Sequence, residues 1–223
     1  DIFLQQLDAN GLYIWGHVLG GTANDQAYGC AVDMDGNVFL TGEFRTTLDF
    51  DPGPNMLSLT SSGAEDAFAM KWDGAGNVIW AHRFGGSGSE RSRAVAVGPD
   101  GGPVFTGRIT SVTDFDPGAP VFNLPGSFLE EAFLLKLTDA GDFQWAFLLT
   151  SFLNEGRGLA VDGQNNVYAC GSFGTTSNSP LDLDPGPGVT PITSNGGGDL
   201  YAVSYTATGS FRWGFGLGGA QND

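Results

Sequence analysis

Two aspartates one residue apart, closed by Pro-Gly, occur three times in this chain. The copies are Asp49-Phe50-Asp51-Pro52-Gly53, Asp114-Phe115-Asp116-Pro117-Gly118 and Asp182-Leu183-Asp184-Pro185-Gly186. In extended backbone, residues i and i+2 point to the same side. The carboxylates of Asp49 and Asp51, of Asp114 and Asp116, and of Asp182 and Asp184 could therefore converge on one cation. Calcium is the natural candidate, since it takes six to eight oxygens at about 2.4 Å from carboxylates, carbonyls and water. One motif supplies part of such a shell. The alternative use is a turn: Pro then Gly at the two central positions suits type II geometry, with Asp bonded to nearby backbone. Both uses stay open at this point; the cofactor expected of the first is Ca2+.

Other chemistry is sparse. The two histidines, His17 and His82, stand two residues after Trp15 and Trp80, where the later copies have Phe147 and Phe215. A position that accepts either ring is a packing position. No Gly-x-Ser-x-Gly elbow, His-Glu-x-x-His helix or Cys/His zinc spacing occurs. Gly85-Gly86-Ser87-Gly88 has no following Lys or helix to bind phosphate. Asp33-Met34-Asp35-Gly36-Asn37 begins like an EF-hand loop but lacks the distal Glu, so it reads as a hairpin turn. With many carboxylates present, an acid pair for glycoside cleavage stays a minor alternative. No catalytic residue is assigned, and the chain is expected not to be an enzyme.

Twenty-five acidic against nine basic residues give a formal net charge of −16 over 223 residues. Nucleic acid is disfavoured as a partner, because phosphate recognition needs a Lys/Arg surface. Such acidity serves cation binding or simple solubility. No apolar run reaches the roughly 18 residues of a membrane span, so membrane insertion is not expected. Cys30 and Cys170 occupy different positions in the repeat and are expected to be small buried thiols, unpaired. The chain opens in mid-repeat at Asp1 without an initiator Met or signal peptide, as a processed protein or fragment would.

The elements that must hold these residues are hairpins. Residues 2–7 and 12–19 flank a turn at Asp8-Ala9-Asn10-Gly11. The same hairpin recurs around Gly76, Gly141 and Gly209, each four residues before Trp80, Trp145 and Trp213, where a positive φ is expected. A second kind of hairpin turns at 33–37, 99–102 and 162–166. The Asp motif follows it, and a Ser/Thr/Gly-rich connection leads back to the first kind. Phe68, Phe133 and Tyr201 recur with the tryptophans and are expected to fill the space between sheets; stacking on sugars is the lesser reading. Acidic residues at Asp25, Glu90 and Glu155 precede the second hairpin. No stretch has a helical apolar period. Tandem units of four short strands, with a period of 65 to 68 residues, predict an all-β fold: a β-propeller of four-stranded antiparallel blades. A β-sandwich would not repeat identical turns and tryptophans at a fixed interval.

The unit Asp66-Ala67-Phe68 … Asn77-Val78-Ile79-Trp80 … Phe84-Gly85-Gly86, with Ala31-Val32-Asp33 … Gly36-Asn37-Val38-Phe39-Leu40-Thr41-Gly42 and the Asp-Phe-Asp-Pro-Gly loop, resembles the bacterial SBBP-type β-propeller repeat. The likeness spans essentially the whole chain. Departures are Thr150-Ser151 in place of the Gly pair and Pro103 in place of Asn. The resemblance implies that the hairpin beginning near Asp25 is the inner half of a blade and the Trp hairpin the outer half. Residues 1–20 are then an outer half blade, and 25–84, 90–149 and 155–217 are full blades of one propeller domain or fragment. Three and a half blades do not close a ring, so other protein segments or chains are expected to complete it. A longer native chain is the preferred source; two chains making seven blades is the other. The resemblance further implies a non-catalytic structural or binding module of a bacterial secreted or surface protein, calcium-stabilised where the Asp pairs bind metal. A carbohydrate-binding adhesin that engages surface glycans is the alternative, and a polysaccharide-degrading propeller enzyme the third reading.

Overall fold

The computed structural model describes residues 1–151, 153–174 and 180–221. Every regular element in them is a β-strand. The chain begins with a lone antiparallel hairpin, β1 (Ile2–Leu7) and β2 (Tyr13–Leu19). The first unit then runs β3 (Gln26–Val32), β4 (Val38–Phe44), β5 (Thr47–Asp49), β6 (Ser58–Thr60), β7 (Asp66–Trp72) and β8 (Val78–Phe84). The second runs β9 (Arg91–Val97), β10 (Pro103–Ile109), β11 (Val112–Asp114), β12 (Asn123–Pro125), β13 (Glu131–Leu137) and β14 (Phe143–Leu149). The third runs β15 (Glu155–Val161), β16 (Val167–Phe173), β17 (Leu181–Asp182), β18 (Pro191–Ile192), β19 (Asp199–Tyr205) and β20 (Phe211–Leu217).

Each unit folds into one four-stranded antiparallel sheet, in the orders β3-β4-β7-β8, β9-β10-β13-β14 and β15-β16-β19-β20. A two-stranded ribbon, β5-β6, β11-β12 or β17-β18, leaves after the second strand. These ribbons were not anticipated. The sequence suggested a plain Ser/Thr/Gly connection, because strands of two or three residues carry too little periodicity to be seen.

The sheets stack face to face, and alternation along each central strand decides which core a side chain joins. On β7, Phe68, Met70 and Trp72 pack toward the N-terminal hairpin with Ile2, Trp15 and Leu19, whereas Ala67 and Ala69 face the second sheet. On β13, Phe133, Leu135 and Leu137 join the core shared with the first sheet; Ala132 and Leu134 join the core shared with the third. All seven residues of β4, β7, β10 and β13 are buried for this reason. Phe68, Phe133 and Tyr201 are buried, as expected for spacers between sheets.

Three expectations are corrected by this geometry. Cys30 and Cys170 are free but exposed, not buried. Cys30 lies on β3, an edge strand, and Cys170 on the uncovered face of the last sheet. Glu155 does not match Asp25 and Glu90. Those two stand just before the first strand of their units, where the third unit has Asn154, while Glu155 opens β15 itself. The one-residue slip arises because the third unit is shorter ahead of its first strand. Finally, Gly53, Gly118 and Gly186 are not among the glycines with positive φ, so the Pro-Gly turns are not type II.

Candidate functional site

The three aspartate motifs build the same small structure. In each, the first carboxylate closes the ribbon. Oδ1 of Asp49 accepts the amides of Asp51 at 3.1 Å and Leu57 at 2.8 Å. Asp114 Oδ1 accepts those of Asp116 at 3.0 Å and Phe122 at 2.8 Å. Asp182 Oδ1 accepts those of Asp184 at 3.0 Å and Thr190 at 2.8 Å. The second carboxylate holds the Pro-Gly turn: Asp51, Asp116 and Asp184 each accept the amide of Gly53, Gly118 or Gly186 at 2.8 Å. A Cβ on those glycines would sit 2.8–3.0 Å from the same carboxylate oxygen. Glycine is needed there for close approach, not for an unusual φ. The residue between each pair (Phe50, Phe115 or Leu183) is fully buried and anchors the ribbon to the sheets.

Each pair thus directs one oxygen of both carboxylates at its own backbone. Among the described residues no group of three or more His, Cys, Asp or Glu side chains is arranged to hold a metal ion. The pairs fit calcium only in part, since carbonyls and water would have to supply most of the shell. Beyond the turn, the ribbon tips present Met56, Val121 and Val189, all exposed and all at one position of the repeat. Beside the third ribbon, a groove of about 490 Å³ is lined by Asp184–Gly188, Phe147 and the turn at Thr208–Phe211.

Charged side chains converge elsewhere, between the sheets. Glu43 pairs with Arg91; Glu65 pairs with Arg45 and lies 3.7 Å from Arg91. Glu155 binds Arg93 at 2.7 Å, Arg157 at 2.8 Å and Arg108 at 3.7 Å, and Arg108 also pairs with Glu130. Burial alone would raise the Glu65 carboxyl, but Ser89 and the two arginines hold it below its usual value. Burial and the neighbouring Arg91 lower Arg108. Glu90 is pushed up by burial although it accepts the Gly86 amide at 3.0 Å and the Ser111 hydroxyl at 2.9 Å. Glu43, Glu65, Glu130 and Glu155 are thus each paired in charge with an arginine, as charges taken out of water must be. Glu43 Oε2, Arg91 Nε and Arg108 Nε are nevertheless left without a hydrogen bond of good geometry. Sequence reading missed this network because most of its pairs join residues far apart in the chain.

The tryptophans make the third recurring arrangement. Trp15 Nε1 donates to the Gly74 carbonyl at 3.1 Å, Trp80 Nε1 to Asp139 at 3.1 Å, and Trp145 Nε1 to Ala207 at 3.0 Å. In each case the indole of one unit grips the last hairpin turn of the next. The gripped turns contain Gly76, Gly141 and Gly209, with φ of 85°, 91° and 81°, so the positive φ expected from the sequence is present. A Cβ on Gly76 would lie 2.9 Å from Trp15, and one on Gly141 2.6 Å from His82. His17 and His82 are part of this grip: His82 stacks on Trp80 with ring centroids 5.0 Å apart. Burial lowers the His82 imidazole below its ordinary value.

No protein-family model matches the chain. It is 22% identical over 224 residues to an uncharacterized WD repeat-containing protein, L264, of Acanthamoeba polyphaga mimivirus, covering 90% of this chain and 16% of that protein. It is 24% identical over 222 residues to the regulatory protein FlaEY of Caulobacter vibrioides, covering 96% of this chain and 23% of that one. The chain therefore spans less than a quarter of either curated relative. A Bacteroides caccae protein of unknown function, solved by crystallography, aligns over 96% of this chain and 74% of its own at 11% identity; the TM-score of 0.37 is too low to carry an argument.

Proposed function

We propose that the three four-stranded sheets are consecutive blades of a β-propeller, and that the chain is a non-catalytic structural or binding module of a bacterial secreted or surface protein. Two things support the propeller. The first strands β3, β9 and β15 of successive sheets lie beside one another, as inner strands converging on an axis do, and one distant relative is named for WD repeats, which form propellers. The binding role rests on the ribbons. Each unit projects the same acidic turn with an exposed apolar residue, Met56, Val121 or Val189, at its tip. A largely exposed apolar side chain, repeated at one position of three units, suits contact with a partner outside the fold.

A glycan array and a panel of polysaccharides test this reading together. Neither turnover nor glycan binding is expected. Turnover would overturn the non-catalytic role, and specific glycan binding would move the assignment to a carbohydrate-binding adhesin. Calcium is tested separately, by melting with calcium and with chelator. If the Asp pairs bind the ion, calcium raises the melting temperature and substitution of all six aspartates by Asn abolishes the rise. The same melting curve in both conditions removes calcium from the proposal.

A further inference from the structure

A carboxylate opens the third strand of each sheet: Asp66 on β7, Glu131 on β13 and Asp199 on β19. All three are buried. Each accepts the backbone amide four residues before it, Asp66 from Ser62 at 2.9 Å, Glu131 from Ser127 at 2.6 Å and Asp199 from Asn195 at 2.8 Å. The sixth residue of the last strand differs between the sheets. In the first it is Arg83, whose Nη1 donates to the Asp66 carboxylate at 2.7 Å and also to the Ser62 hydroxyl. In the second it is Leu148, and in the third it is Gly216.

With no side chain at 216, the third sheet keeps a cavity of about 210 Å³. Phe173, Ile192, Thr193, Asn195 and Asp199 line it, together with residues 216–218. It lies between the sheet and its own ribbon. A Cβ on Gly216 would point at Phe173 and Ile192, both 3.4 Å away, and these pack in the core shared with the second sheet. The frame is that of the first sheet: Ile192 pairs across its ribbon with Leu181 as Leu59 does with Leu48. Asp199 is 1% exposed, and its Oδ1 is buried without a hydrogen-bond partner. None of the described lysines and arginines pairs with it. A buried carboxylate without a cation is unfavourable. The first sheet shows which cation the same frame accepts.

We propose that this cavity binds the guanidinium group of a ligand, in the place that Arg83 fills in the first sheet. The group donates to Asp199, whose charge makes the hydrogen bond a strong one. Its flat face lies against the Phe173 ring, which suits a guanidinium better than an ammonium. The ligand is either a free alkylguanidine or the arginine side chain of a peptide, since both carry this group. The site is separate from the ribbon tips and does not depend on the role proposed for them.

Titration of residues 1–223 with ethylguanidinium chloride tests the proposal, read by NMR at the amides of Asn195 and Gly218. A saturable shift is expected, with a Kd of roughly 1–10 mM for so small a probe. Asp199→Asn keeps an oxygen for the Asn195 amide but loses the charge, and should weaken binding about tenfold. Gly216→Arg fills the cavity from within and should abolish binding. It should also melt above Gly216→Leu, which fills the same space without a charge. Circular dichroism on each variant separates loss of binding from loss of fold. A Gly-Arg-Gly peptide that binds more tightly than ethylguanidinium supports the site and makes an arginine side chain its ligand. A peptide that binds no more tightly supports the site with a free alkylguanidine. The proposal is overturned by the absence of a saturable shift at these amides, or by an equal shift with potassium chloride at the same concentration. Unchanged binding in either variant also overturns it, as does Gly216→Leu melting above Gly216→Arg.

Discussion

At Asp114 the side chain does the work of a strand. It accepts two backbone amides that would otherwise end the ribbon unsatisfied. Asp114→Ala should lower stability by about 1 kcal/mol, toward the low end for charged hydrogen bonds because the site is partly open to water. Asp114→Asn keeps Oδ1 and should cost clearly less, measured by urea unfolding. Equal losses in the two variants would mean that charge, not acceptor geometry, matters there. His82 makes a prediction in pH. Burial depresses its folded pKa below the unfolded value near 6.5, so the unfolded chain binds the extra proton first. Stability is then fully present above about pH 6.5 and falls as pH drops below it. Its Nε2 is buried without a hydrogen-bond partner. His82→Phe, the residue type found at position 147, should therefore lose less stability than wild type between pH 7 and 5 in parallel thermal melts. An identical pH profile for the two proteins would exclude His82 as the source.

Among the elements, the hairpin turn and the tryptophan that grips it come from different units. Trp80→Ala empties a site that is 93% buried (relative exposure 7%) and should cost about 3–5 kcal/mol. Trp213→Ala should cost about 1 kcal/mol, because the same residue there is 41% exposed and packs only on its own sheet, against Tyr168 and Phe215. Comparable losses at both positions would show that the indole stabilises its own sheet more than its neighbour. Strands, turns and the positive φ of Gly11, Gly76, Gly141 and Gly209 were legible in the sequence, because local backbone demands write themselves into residue type. The role of the tryptophans was half legible: their period marked a packing position, but not that each indole donates to the next unit. The aspartate motif was legible as a motif and ambiguous in use. A carboxylate that caps a turn and one that binds an ion share the same spacing, and only the direction of Oδ1 distinguishes them. The arginine–glutamate network was not legible, since nothing local links Glu43 to Arg91 or Arg108 to Glu155.

The whole molecule is strongly acidic, and its cations are placed unevenly. Five of its nine basic side chains, Arg45, Arg91, Arg93, Arg108 and Arg157, belong to the network with Glu43, Glu65, Glu130 and Glu155. Lys71 and Lys136 are buried against Asp139 and Asp100. The acidic ribbons are left with little opposing charge nearby. Self-repulsion at a net charge of −16 destabilises the compact state. Raising ionic strength from 0.01 M to 0.15 M shortens the screening length from about 30 Å to about 8 Å. Sodium chloride should accordingly raise the melting temperature over this range. A fall would mean that the partly buried ion pairs outweigh the surface repulsion.

At the hairpin turn itself the grip uses only a backbone carbonyl and a missing Cβ. The turns that receive it read Gly74-Ala75-Gly76, Asp139-Ala140-Gly141 and Ala207-Thr208-Gly209. This one hydrogen bond of the joint is thus indifferent to the side chains of the turn that receives it. Duplication or recombination at the unit boundaries would preserve this hydrogen bond, while the shared cores and the arginine–glutamate pairs would have to be matched anew at each junction.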